Sequence, residues 1–228
     1  MSWGRKSCGL AAAAVAVTVV LVLSGCGGGS DKKSDSSSSD SNSSASKLSA
    51  ALLTPTDLPA GYNQVDNPPD SKVVSTSNQE CSHIFSDNPG EGLGNVGKPS
   101  AEEARTFNDD SGDTLGNVVS EYSDTTAGAK LIAQLQAATA RCRAWSEKDE
   151  GGSVTAFTLQ SRPAPGPNSY RVLITAQVQG DPAQRLSGDS VVVTKGGHVA
   201  QVVRGSEQGA ALSDQIIQTV SNKLNALG

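Results

Sequence analysis

The sequence lacks the residue groups from which metal centres and hydrolytic active sites are commonly built. Its 228 residues include two histidines, His83 and His198, and no CxxC pair, which disfavours a zinc site. Neither GxSxG nor SxxK together with KTG occurs, so no serine stands in a recognisable nucleophile motif. We therefore expect no enzymatic activity, no cofactor and no bound metal.

Positive charge is also in short supply. Lysine and arginine total 18 against 23 acidic residues, which gives the chain a net charge of −5 at pH 7. Nucleic-acid binding needs a basic patch, and no basic run occurs, so we expect no nucleic-acid partner. The segment "DKKSD" is too short and too mixed in charge to hold the chain on a membrane.

The apolar run "CGLAAAAVAVTVVLVL", which follows Arg5 and Lys6, is short for a membrane span. About 15 residues at about 1.5 Å each cover roughly 23 Å, against a hydrocarbon core of ~30 Å. A basic start, a short apolar region and small residues at its end are typical of a secretory signal peptide. A transmembrane anchor in a locally thinned bilayer is the alternative.

The run ends in "LSGC", residues Leu23 to Cys26, which resembles the lipobox of bacterial lipoproteins. The resemblance implies a lipid thioether on the sulfur of Cys26, with further acylation such as palmitate, and cleavage between Gly25 and Cys26. Two or three acyl chains hold a protein on a membrane durably. We therefore expect residues 1–25 to be a signal peptide and the protein to be anchored on the extracytoplasmic face of the cell membrane.

Residues 26–46 follow as a glycine- and serine-rich segment with almost no apolar side chains. Such a chain cannot bury a core, so we expect a flexible tether whose root-mean-square length is roughly 25 Å. Residues 47–228, about 180 in all, are enough for one domain with a core of its own.

Two cysteines fall in that domain, Cys81 in "NQECSHIF" and Cys142 in "ARCRAW". An exported chain meets oxidising conditions, so we expect them to form a disulfide. Free buried thiols, a redox pair and a metal site are the alternatives.

Hydrophobic periodicity predicts six strands and two amphipathic helices. The strands are "EARTFND", "TLGNVVSEY", "SVTAFTLQ", "YRVLITAQV", "DSVVVTK" and "HVAQVVRG". The buried stripe of the first helix is predicted to be Leu131, Leu135, Ala138, Cys142 and Trp145, with the charge run "EKDE" exposed at its end. The second stripe is Leu212, Ile216, Val220, Leu224 and Leu227. This order predicts an α+β fold, an antiparallel sheet of about five to six strands with two long helices packed on one face.

From residue 47 onward the chain resembles the extracellular sensor domain of PknH-type actinobacterial kinases, which also occurs in stand-alone lipoproteins. The resemblance is carried by "LLTPTDLPAGY", by "NQECSHIF" and "ARCRAW", and by the run from Tyr170 to Val203. It implies an antiparallel sheet flanked by helices, with a cleft for an unknown ligand. This chain has no kinase domain, and it can form one disulfide where the kinase sensor has two.

Two functions are compatible with these features. The domain can bind a small or lipidic molecule, as a sensor or carrier, or it can dock an envelope or membrane protein without holding a ligand. Alternation in "YRVLITAQV" gives one apolar strand face and one mixed face, and the mixed face is the candidate cleft. Its candidate ligand-binding residues are Arg171, Leu173 and Thr175, with the guanidinium suited to a carboxylate or phosphate.

Overall fold

The structure is a computed structural model that describes residues 39–66, 73–82, 96–181, 183–207, 209 and 211–227. The predicted signal peptide and Cys26 lie outside these residues, as does His83. Within them, no helix combines the length and the apolar character that crossing a bilayer requires.

In the described part of the chain, nine antiparallel strands form one sheet, in the order β1-β3-β4-β9-β8-β7-β6-β5-β2. The strands are β1 (Asn63–Val65), β2 (Val73–Thr76), β3 (Ala101–Asn108), β4 (Thr114–Glu121), β5 (Ala144–Asp149), β6 (Val154–Arg162), β7 (Ser169–Val178), β8 (Arg185–Lys195) and β9 (His198–Ser206). The helices are α1 (Ser39–Ala51), α2 (Gln79–Ser82), α3 (Ala127–Arg141) and α4 (Asp214–Asn225), with a 3₁₀ turn at Pro55–Asp57. The first turns of α1 thus fall within the segment predicted to be tether.

The prediction of five to six strands is wrong, because three strands leave no clear alternation in the sequence. β1 and β2 have three and four residues, too few to show a period of two. β5 covers parts of two segments with separate predictions, the end of the first helix and the start of the charge run "EKDE". In the structure α3 ends at Arg141, since Cys142 leaves the helical backbone conformation with φ −93° and ψ 53°.

Trp145 therefore belongs to β5 rather than to the helical stripe that its spacing suggests. Its ring stacks on Phe157, with centroids 4.9 Å apart and the planes inclined by 8°. Its Nε1 donates to the carboxylate of Glu147 at 2.7 Å. Glu147 is buried, so the expectation that the whole "EKDE" run is exposed is wrong at this residue.

The two long helices lie on opposite faces of the sheet, which corrects the prediction that both pack on one face. Leu131 and Leu135 of α3 pack with Val192 of β8, on what we call the α3 face. Ile216 and Val220 of α4 pack with other valines of β8, Val191 and Val193, on what we call the α4 face. The consecutive valines of β8 reflect this arrangement, because a strand covered on both faces reads as a continuous apolar run.

The predicted disulfide is confirmed. Cys81 of α2 and Cys142 at the end of α3 are bonded, with Cα atoms 5.4 Å apart, and both side chains are fully buried. The bond closes a long loop, and in the chain-entropy view such a closure stabilises the fold by roughly 4 kcal/mol.

The opposite placement of the helices leads to a prediction about Leu135 and Ile216, which are 4% and 3% exposed. We expect Leu135→Ala and Ile216→Ala each to lower the free energy of unfolding by about 2–5 kcal/mol, because each leaves a cavity. The two losses should add to within ~0.5 kcal/mol in the double variant, since the two side chains belong to separate core clusters on opposite faces of the sheet. Urea denaturation measures this, with the exposed Gln136→Ala as control. Losses below about 1 kcal/mol at both sites would contradict the described packing.

Candidate functional site

Among the described residues, one half of the α4 face carries no helix. The helix α1 packs against β3 and β4, and α4 packs against β8 and β9. Beyond them, Thr158, Gln160 and Arg162 of β6 are exposed to solvent. We call the side chains that β5, β6 and β7 present on this face the shelf. The shelf consists of Ala144, Ser146, Lys148, Val154, Ala156, Thr158, Gln160, Arg162, Ser169, Arg171, Leu173, Thr175 and Gln177.

The three predicted ligand-binding residues lie side by side on the shelf. Arg171, Leu173 and Thr175 alternate along β7, and each is partly exposed. Across the sheet, Thr175 lies between Thr158 of β6 and Ser187 of β8. The mixed strand face is thus partly open, while its apolar counterpart lies under α3.

The guanidinium of Arg171 is bound within the protein. Its Nε and Nη2 donate to the two carboxylate oxygens of Asp189 at 3.1 and 2.6 Å. Nη2 also donates to the backbone carbonyl of Leu212 at 3.0 Å, and the Leu212 N–H donates to Asp189 at 2.7 Å. The hydrogen bonds to Asp189 raise the pKa of Arg171 above its usual value, against the opposing effect of burial. Arg171 therefore positions the segment that contains Leu212.

A second arginine holds the same segment from the neighbouring side. Arg204 of β9 donates to the backbone carbonyl of Ala211 at 3.2 Å and forms an ion pair with Asp113, whose side chain is 7% exposed. The connection from β9 to α4 is thus fixed to the sheet at two successive residues. Ser213 then begins α4, its hydroxyl accepting the N–H of Ile216. This connection forms a wall along one side of the shelf.

Sequence reasoning missed two residues that shape the site, Asp189 and Arg162. Asp189 is the first residue of the predicted strand "DSVVVTK". Its signal is that aspartate is uncommon inside a strand and here precedes "SVVV", so a buried partner was to be expected. Arg162 lies directly opposite Arg171 in the sheet, a relation that appears only once the register of β6 and β7 is known.

No family model matches the chain, and no curated protein does. Among solved structures, it is similar to the extracellular domain of PknH from Mycobacterium tuberculosis, with a TM-score of 0.60 and 12% identity, over 80% of this chain and 95% of that one. The chain has the fold of the PknH extracellular domain. An uncharacterized protein from Mycobacterium smegmatis aligns over 79% of this chain and 95% of its own, with 9% identity and a TM-score of 0.39.

Proposed function

We propose that the protein is a lipid-anchored, extracytoplasmic binding protein whose domain holds a small or lipidic ligand on the shelf, as a sensor or carrier. The observation that carries this proposal is the shelf itself, a partly exposed sheet face, free of helices among the described residues, beside a connection that is hydrogen-bonded to the sheet at Ala211 and Leu212. Such a surface offers a few polar groups to orient a ligand and some apolar area. The similarity to a domain described as extracellular, the disulfide and the lipobox-like "LSGC" support the location.

The alternative, a protein that docks an envelope partner, calls for an exposed apolar patch. Within the described residues, Val74 of β2 is the single large hydrophobic side chain that is exposed, at 52%. One isolated side chain does not make an apolar patch, so ligand binding is the better-supported function.

The test is to purify the full-length protein from membranes of its own host in detergent and to weigh it by native mass spectrometry. We expect a non-covalent adduct that disappears on denaturation. In Thr175→Trp an indole fills the middle of the shelf, so the adduct should be lost.

The matched control is Asn108→Trp, which places the same indole on an exposed residue of the opposite, α3 face. The control should keep the adduct. An adduct retained by Thr175→Trp, or no adduct in the parent protein, would overturn the proposal.

A further inference from the structure

Three cations on the α4 face have no anionic partner in the described part of the chain. Lys148 of β5 and Arg162 of β6 belong to the shelf, and Arg185 of β8 borders it. All three are exposed, and none forms an ion pair or a side-chain hydrogen bond with another described residue. Unpaired cations of this kind are available to an external anion.

Acidic side chains are scarce on the strands of the same surface, and Asp214 in the first turn of α4 also acts on Arg171. Strands β5 to β8, described in full, carry one acidic residue on the α4 face, Asp189, and Arg171 neutralises it. This is a segregation of charge, because acidic residues outnumber basic ones by 23 to 18 in the chain. The surface therefore has a positive potential on a protein of negative net charge.

Arg162 and Arg171 form a cross-strand pair of like charges on this positive surface. The two residues are direct partners on β6 and β7, and like charges in that position repel each other. Asp189 compensates Arg171, whereas the charge of Arg162 remains uncompensated. An anion bound beside Arg162 would relieve the repulsion.

The cations are too far apart for one small anion. Arg162 is opposite position 171 of β7 and Arg185 is opposite position 177. At about 3.3 Å per residue, the two sites are separated by about 20 Å along the strand direction. Lys148, opposite Val154 at the start of β6, lies towards the same end as Arg185.

We infer that the shelf binds an elongated polyanion, a chain with phosphate or carboxylate groups at both ends of a span of about 20 Å. Hydroxyl and amide groups lie between the charged ends and can bind the middle of such a chain. They belong to Thr158, Gln160, Thr175 and Ser187. The inference names the ligand class of the site in the proposed function and rests on it.

The experiment measures by calorimetry how tightly the full-length protein, in detergent, binds long-chain inorganic polyphosphate as the probe. We expect binding that weakens at least tenfold in Arg162→Gln/Arg185→Gln and that falls steeply with added salt. Orthophosphate, which cannot reach both ends, should bind at least tenfold more weakly than the polymer. The matched control is Arg143→Gln, which removes an exposed, unpaired arginine from the α3 face and should leave binding unchanged.

Other outcomes overturn the inference. Equal losses of affinity in the double variant and in Arg143→Gln would show unspecific attraction. Orthophosphate that binds as tightly as the polymer would show that the ligand need not be elongated. Binding to phosphatidylglycerol vesicles without binding to polyphosphate would assign the charges to a membrane surface instead.

The adduct sought by native mass spectrometry distinguishes a failure of this inference from a failure of the proposed function. An adduct kept by the double variant but lost in Thr175→Trp refutes the polyanion and leaves the binding function standing.

Discussion

Asp189→Ala is expected to lower the free energy of unfolding by about 3–5 kcal/mol, because it removes one partner of a buried ion pair. The side chain of Asp189 is 2% exposed and that of Arg171 is 16% exposed, so the guanidinium would remain largely out of water without its counter-charge. The N–H of Leu212 would also lose its acceptor. Urea denaturation with the parent protein as reference measures the loss.

Two further variants identify the cause. Asp189→Asn keeps an oxygen for Leu212 and should lose less stability than Asp189→Ala. Arg171→Met/Asp189→Leu should recover much of the loss, since an apolar pair of similar volume often replaces a buried ion pair at little cost. Glu80→Ala removes the half-exposed ion pair with Arg141 and should cost about 0–1 kcal/mol. A loss at Asp189 no larger than at Glu80 would show that the network does not hold the wall.

The sequence predicts the long strands and helices well and the placement of the helices badly. Alternation marks β3, β4 and β6 to β9, and the glycines between "DSVVVTK" and "HVAQVVRG" mark the hairpin, where Gly196 has φ +57°. A helical stripe shows that a helix has a buried side but not which sheet face receives it. The information was present in β8, whose consecutive valines require cover on both faces.

The candidate site was predictable as a strand face and not as a set of contacts. Alternation places Arg171, Leu173 and Thr175 on one side of β7, and they do lie together on the shelf. The partner of Arg171 comes from a different strand, 18 residues away, and from the connection before α4. Such pairings depend on register and on the path of a loop, neither of which leaves a periodic signal in the chain.

Cys26→Ser is expected to detach the protein from the membrane, the largest effect of any variant on its location. The lipid is expected on the sulfur of Cys26, and a hydroxyl does not replace the thiolate as the nucleophile that accepts it. Each buried methylene of an acyl chain contributes about 0.8 kcal/mol to membrane binding, so loss of two or three chains removes the attachment. The predicted tether offers no substitute, because "DKKSD" is too weakly basic to hold a membrane.

Mass spectrometry of the N-terminal peptide from native membranes measures the effect. In the parent protein the peptide should begin at Cys26 and carry the added mass of the lipid. The variant should carry no lipid and should either be released into the medium or keep residues 1–25. Cys8→Ser is the matched control, since Cys8 lies within the predicted signal peptide and should be removed with it, so this variant should be lipidated like the parent. An unmodified Cys26 thiol in the parent, or equal lipid mass in Cys26→Ser, would refute the anchor and leave the short apolar run as a membrane span.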